Sequence, residues 1–298
     1  MSNKRIAVIG TPGKWSTEVL ADHLERQTGF RCVIDMSEVV LELDTGRLLY
    51  RDLVLNELDG VIIKKISETY SPEADDRIRM LATLEADGVR CFSRPEQVGR
   101  LINRLEGTSA LARGNVSLPA TRVTENTEAA LKVIEQFGKA ILKPLYSTKA
   151  RGMVVLEAGA GSETNVRKLN KFREEHGLFY LQKFVHLGGQ DLGMVFLGNE
   201  YLCTYARVGA GDAWNTTINS GGKYQAYEAS PELIELGFKA QSCFDLSFTT
   251  VDIALTEEGP VVFEVSAFGG FSGALKGCGI DAAEKLCEHV LVELEASS

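Results

Sequence analysis

The runs TTVDIAL (249–255) and VVFEV (261–265), with TEEGP (256–260) between them, decide how this chain reads. Both runs are β-branched and apolar, and the intervening residues are turn formers, so the stretch predicts a β-hairpin. A loop symmetric about Glu258 sets Asp252 directly opposite Glu264, with their Cβ atoms about 5 Å apart on one sheet face. Like charges opposed at that distance among apolar neighbours destabilise the pair unless a cation or a shared proton neutralises them. Mg²⁺ suits the position, because it takes carboxylate oxygens and completes its shell with water and substrate phosphates. The plainer reading puts both acids on the solvent face of an ordinary hairpin, where such residues mostly lie. Alternation opposes it: Ala254 and Val262 are expected on the same face as the acids, and Ser266 continues that face.

The composition around this hairpin is that of a globular protein. The chain has 298 residues, 44% hydrophobic and 24% charged, and at that length it can bury roughly 75% of its unfolded surface without covalent staples. A net charge of −9 leaves no basic stripe to neutralise nucleic-acid phosphates, and local clusters such as Lys64–Lys65 are too small to reverse this. The cysteines, Cys32, Cys91, Cys203, Cys243, Cys278 and Cys287, form no CxxC pair and several lie in apolar runs, as buried free thiols do. A reducing cytoplasm is therefore expected. MSNKRIAVIG enters a strand directly, without a secretory signal, and no run of 18 apolar residues predicts a membrane span.

Upstream, RIAVIG (5–10), a Thr-Pro-Gly turn and WSTEVLADHLERQTG (15–29) read as strand, turn and amphipathic helix ending at Gly29. RCVIDM (31–36), VVLELD (39–44), DGVIIKK (59–65), a helix over about 72–87 and VRCF (89–92) follow. Strands alternating with helices predict a small parallel α/β sheet. The Gly10–Gly13 turn follows a strand but is no GxGxxG fingerprint, and reads as structural. SRPEQVGR (93–100) looks like a linker before a helix over about 101–113. SLPAT (117–121), a helix at 127–138, the strand KAILK (139–143), the loop PLYSTKARG (144–152) and the strand MVVLE (153–157) come next. The remainder, from LFYLQKFV (178–185), reads as antiparallel strands with helices near 231–243 and 281–296. The expected division is 1–96, 97–180 and 181–298.

Lys143 ends a strand and is followed by Ser147, Thr148, Lys149, Arg151 and Gly152 in a donor-rich loop able to close over phosphates. No helix follows the loop, so it is not a P-loop, and alone it reads as a solvated turn rather than a phosphate clamp.

Taken with the acid pair, these residues resemble the ATP-grasp superfamily and, within it, the RimK-type branch of glutamate-adding ligases. The resemblance runs along nearly the whole chain: a small α/β lobe, a helix leading to Leu-Pro-x-Thr (118–121), the Lys-Pro strand and loop, a hinge strand and the metal hairpin. It implies an α/β (α+β) fold with an N-terminal pre-ATP-grasp domain and two α+β lobes clasping a nucleotide. Arg104 matches the first phosphate-contacting cation, usually Lys, and Lys143 the second. Ser147, Thr148, Arg151 and Gly152 form the loop, and Gln182, Lys183, Phe184 and Val185 the hinge that reads adenine. Asp191 resembles the acceptor of the ribose hydroxyls, and Arg207 a cation near the γ-phosphate. Asp252 and Glu264 match the acidic ligands of Mg²⁺ (or Mn²⁺).

The departures from that pattern are specific. Ser266 stands where a third metal ligand, Asn, is usual, and Ser147 and Ala150 replace loop glycines. The acceptor-side Asp-x-Arg reads Asp191-Leu192-Gly193, and Trp-Arg-Thr-Asn reads Trp214-Asn215-Thr216-Thr217. The EVSAFGG form (264–270) looks like the branch named after the GAK gene system. The implied reaction is ATP-dependent joining of a small-molecule or peptide carboxylate to an amine through an acyl phosphate, with Arg104, Lys143 and Arg207 stabilising the developing charge. No side-chain nucleophile is needed, so Cys203, Cys278 and His186 read as packing or hinge residues. A phosphotransferase acting on a hydroxyl and a nucleotide-binding regulator without turnover are the alternatives. The run Phe268–Gly273 reads as an acceptor wall or as a tight connection, and a homo-oligomer stays open.

Overall fold

The strand β1 (Ile6–Ile9) is apolar at all positions because it is covered on both faces, as parallel strands are. In the computed structural model, which describes residues 3–148, 150–209 and 222–296, β1 is followed by α1 (Trp15–Thr28), which closes at Gly29 in the left-handed conformation. Then come β2 (Val33–Ile34), β3 (Val39–Glu42), β4 (Arg47–Tyr50), β5 (Leu53–Val54), β6 (Gly60–Ile63), α2 (Pro72–Ala86) and β7 (Arg90–Phe92). The parallel sheet runs β2-β1-β6-β7. The run 39–44 is not part of it: β3 pairs antiparallel with β4, and β4 with β5, as a separate small sheet.

SRPEQVGR is helical rather than a linker. Pro95 opens α3 (Pro95–Ile102), where its fixed φ suits the first turn, and Val98 and Ile102, four apart, are buried. Asn103 then breaks the expected continuous helix. Its extended backbone ends α3, and its side chain accepts from the Leu105 N–H to cap α4 (Arg104–Arg113). The break leaves Arg104 at the first position of α4, with its own N–H bonded to Leu145 O at 3.0 Å.

A second sheet, order β10-β9-β11-β8, contains β8 (Thr121–Thr124), β9 (Lys139–Lys143), β10 (Val154–Glu157) and β11 (Phe179–Lys183). The helices α5 (Thr127–Phe137) and α6 (Ser162–His176) cover one face, around Ile134, Leu142, Leu169 and Leu181. Tyr180, Gln182 and Lys143 alternate to the other face.

The third sheet, order β14-β13-β12-β15-β16, is antiparallel. It is made by β12 (Gln190–Leu197), β13 (Glu200–Val208), β14 (Lys223–Ala226), β15 (Phe248–Thr256) and β16 (Gly259–Ser266). On one face α7 (Pro231–Gln241) packs on Met194 and Phe196, in a core shared with Val251, Ile253, Val262 and Val265. On the other lies α8 (Phe271–Cys278), against Tyr205. The last helix, α9 (Ala282–Ala296), packs back on α1. Among the described residues no helix is long and apolar enough to cross a membrane.

Candidate active site

Asp252 pairs with Glu264 across β15–β16, as the hairpin reading expects, but by a different route. The turn is tight, with Thr256 opposite Gly259, and taken alone it would set Asp252 opposite Phe263. An irregularity after Asp252 makes up the difference: Ile253 pairs with Val262, Asp252 with Glu264, and Phe263 is the extra residue of a β-bulge. The bulge also corrects the expected face. Ala254 pairs with Val261, while Val262 belongs with Ile253 to the buried core face. Ser266, opposite Thr250, does continue the face that carries the acids.

Each acid has its own arginine. Arg104 reaches Glu264 at 3.3 Å from α4, and its guanidinium also donates to Pro144 O (3.2 Å) and to Ser147 O and Oγ (both 3.4 Å). One side chain thus ties the loop after Lys143 to the β15–β16 hairpin. Arg207, at the end of β13, is held by both carboxylate oxygens of Asp191 and lies 3.0 Å from Asp252 Oδ1. That last contact is a close ion pair without hydrogen-bond alignment, and Oδ1 is otherwise an orphaned buried acceptor. Burial first, then the neighbouring Glu264 and Asp191, push the Asp252 carboxyl up to about 7, against the opposing pull of Arg207. A buried carboxylate with an orphaned oxygen, facing a second acid, is a donor set suited to a hard divalent cation. Among the described residues no three His, Cys, Asp or Glu side chains gather into a metal site, so water and phosphate oxygens would supply most of the shell.

Lys143 is buried at the end of β9, where its ammonium donates to Gln182 Oε1 at 2.5 Å and lies 5.5 Å from the Phe263 ring centroid. Gln182 in turn donates to Thr121 Oγ1 at 3.2 Å. Burial, reinforced by Arg104, lowers the Lys143 ammonium to about 7. A phosphate arriving beside it would restore the charge.

The loop after Lys143 is folded on itself. Arg151 donates to Thr148 O and Oγ1, Ala150 has φ 59°, and Gly152 (φ 70°) lies where a β-carbon would press on Pro144 at 3.0 Å. Lys149 lies outside the described residues, as do Trp214–Thr217. In the hinge, the Lys183 N–H donates to Ala120 O and the Phe184 N–H to Lys139 O. Val185 follows these two committed donors, and Lys183 Nζ pairs at 3.8 Å with Glu258 at the tip of the hairpin. The structure turns Asp191 onto Arg207 with only 7% exposure, so its carboxylate serves the guanidinium rather than standing open to a ribose.

Sequence reading missed three neighbours. Thr250, opposite Ser266, has a buried hydroxyl without a partner. Lys64, seen only as part of a small basic cluster, is buried at the end of β6 and donates to Gly269 O (2.5 Å) and Phe268 O (3.4 Å). Its ammonium stands 4.3 Å from the Phe271 ring centroid. Gly269 lies on Thr249 and Thr250, where a β-carbon would come within 2.9 Å of their backbone. Residues 268–270 are therefore a tight connection from β16 into α8, seated on Thr249 and Thr250. Tyr205 is the third, two residues before Arg207. Strand register alone reveals these positions, and the sequence carries no signal for it.

A parallel N-terminal sheet with a small antiparallel sheet beside it, followed by two larger antiparallel sheets and an opposed acid pair flanked by Arg104 and Arg207, matches the ATP-grasp class. The RimK-like ATP-grasp domain family matches residues 102–290, well over half of the chain, and the chain belongs to that family of Mg²⁺- and ATP-using ligases. It is 28% identical to the tetrahydromethanopterin:alpha-L-glutamate ligase of Methanocaldococcus jannaschii, over 87% of this chain and 88% of that protein. The ligase of the same name from Methanosarcina acetivorans is 24% identical over 96% of this chain and 98% of its own length. Among solved structures, the ATP-grasp ligase PsnB, complexed with a phosphomimetic variant of its minimal precursor, Mg and ADP, superposes with a TM-score of 0.76. That match covers 99% of this chain and 100% of PsnB at 15% identity, a likeness of fold.

Proposed function

We propose that this chain joins a carboxylate to an amine at the expense of ATP, by way of an acyl phosphate, and that the residues above carry the work. The observation behind the residue roles is the Asp252–Glu264 pair flanked by Arg104 and Arg207, with Lys143 buried beside it. Asp252 and Glu264 hold Mg²⁺, which when bound supplies charge neutralisation at the phosphates. Ser266 is a weaker oxygen donor at the edge of that shell. Arg104 and Lys143 bind phosphate oxygens from the side of the second sheet. Arg207 meets the γ-phosphate from the other, fixed in orientation by Asp191. The backbone at Val185 is the adenine edge reader, because the N–H groups of Lys183 and Phe184 are already used. Ser147, Thr148, Arg151 and Gly152 form the loop that excludes water from the acyl phosphate.

The relatives named as glutamate ligases support an α-amino acid, glutamate first, as the amine. A cytoplasmic setting without nucleic acid is supported by the net charge of −9 and by six cysteines that are all free. The test is ADP release from Mg–ATP across a panel of carboxylates, with hydroxylamine as a general amine. Hydroxamate formation that needs the carboxylate supports the ligase. A phosphorylated product formed without amine points to a phosphotransferase, and ATP binding with no ADP release to a regulator.

A further inference from the structure

One row of side chains crosses the third sheet: Tyr205 on β13 pairs with Gly193 on β12, Gly193 with Asp252 on β15, and Asp252 with Glu264 on β16. Paired residues share a face, so all four project to the side that carries the site. Glu264 closes one end, where it meets Arg104 and the phosphate loop. Tyr205 stands at the opposite end. If nucleotide phosphates enter from Arg104 and Lys143, in-line transfer of the γ-phosphate places the accepting carboxylate beyond Asp252, on the Tyr205 side.

The Tyr205 ring is built into place. A β-carbon on Gly193 would collide with its Cζ and sit 2.5 Å from its oxygen, and one on Gly273 of α8 would collide with the ring from above. Gly277, one turn along, would approach the Tyr205 Cβ to 2.9 Å. The ring therefore leans across the gap left by the missing side chain at 193, and its tip lies over Gly193, one strand short of Asp252. Tyr224 packs edge-on against it at 5.3 Å between centroids. The residue is 97% removed from solvent (3% exposed), so its hydroxyl is held at the tip of a ring that packing between Gly193 and α8 orients. Burial also keeps this phenol protonated, well above its ordinary range, so that it acts as a neutral donor.

We propose that the Tyr205 hydroxyl is a substrate-binding group, donating a hydrogen bond to the acyl oxygen of the carboxylate once it is held beside Asp252. The inference rests on the ligase reading above and adds the group that orients the acyl half. It also defines a substrate class at this end of the row: an acyl group met by a neutral phenol in a glycine-walled slot, with no cation supplied by residue 193.

The experiment uses protein labelled with 3-fluorotyrosine, which has eight tyrosines; the Tyr205 resonance is assigned by its loss in Y205F. Acetyl phosphate added to the Mg–ADP complex serves as the acyl-phosphate probe. The expected result is a shift of the Tyr205 resonance with acetyl phosphate but not with Mg–ADP alone. In Y205F, which keeps the ring, acetyl phosphate affinity falls about tenfold, the scale of one hydrogen bond to a charged ligand, while Mg–ADP affinity is unchanged. If acetyl phosphate does not bind the Mg–ADP complex, or binds without moving the resonance and equally well in Y205F, the Tyr205 role is overturned while the ligase reading stands. If Mg–ADP itself fails to bind, both fall.

Discussion

Arg207 is clamped by Asp191 and in turn faces Asp252 at 3.0 Å, so the Asp252 carboxylate is neutralised through a guanidinium that a second acid holds still. The three groups lie on adjacent strands, and the geometry stores a positive charge where a γ-phosphate is expected. Before nucleotide binds, that charge also prevents two buried carboxylates from repelling each other.

Removing the guanidinium exposes this dependence. R207M leaves Asp191 and Asp252 without their cation, and loss of one partner from such a buried cluster costs about 3–5 kcal/mol. Urea melts of R207M should show a loss of that order without metal. Mg²⁺ should raise the stability of R207M more than that of the wild type, because it substitutes for the missing charge at Asp252. Equal stabilisation of both proteins would place the metal elsewhere.

Arg104 joins the loop to the hairpin by several charged hydrogen bonds. R104M is expected to weaken binding of a non-hydrolysable ATP analogue by about 10- to 100-fold, the range for losing hydrogen bonds to a charged group. R104K should recover part of this, since Lys keeps the charge without the fork. Isothermal calorimetry separates the three proteins.

Lys64 supplies a pH signature. Burial lowers its ammonium from 10.5 to about 7 in the folded chain. Between those values the unfolded chain holds a proton that the native chain has released, so stability rises with pH across that window. Below pH 7 both states are protonated and the full cost of burying the charge remains. Relative to K64M, the wild type should therefore gain stability from pH 7 towards 10.5, by up to about 1.4 kcal/mol per pH unit. Denaturant melts of both proteins at pH 6, 8 and 9.5 measure the difference, and a flat difference would contradict the assignment.

At the tip of the hairpin, Glu258 and Lys183 are exposed and 3.8 Å apart. E258Q should change stability by less than about 1 kcal/mol, as for surface pairs in general. A larger loss in a thermal melt would mean that this contact holds the cleft together.

How much of this was legible in the sequence depended on which force fixed each element. The paired acids were legible because β-branched strands and turn residues mark a hairpin locally. Their alignment, though, followed from two compensating facts: a turn one step tighter than a symmetric loop and one extra residue, Phe263, in the ladder. A bulge leaves no compositional mark, and so Val262 was expected on the wrong face. The segment 93–100 looked like a linker because Pro95 and Gly99 suggest a break, whereas Pro at a first turn starts a helix. The helix α8 was hidden in FSGALKGC, whose glycines disfavour a helix in isolation; Gly273 and Gly277 are there because Tyr205 needs the room. Arg104, Lys143 and Arg207 came from family resemblance. Tyr205, Thr250 and Lys64 take their neighbours from distant parts of the sequence, which only the assembled fold brings together.

The most direct test is a calorimetric titration of wild type, D252N and E264Q with a non-hydrolysable ATP analogue, with and without Mg²⁺. Wild-type affinity should depend on Mg²⁺, and each substitution should abolish that dependence while leaving the fold intact by circular dichroism. Mg²⁺-dependent binding that survives unchanged in both variants would contradict the assignment of these two acids as the metal site.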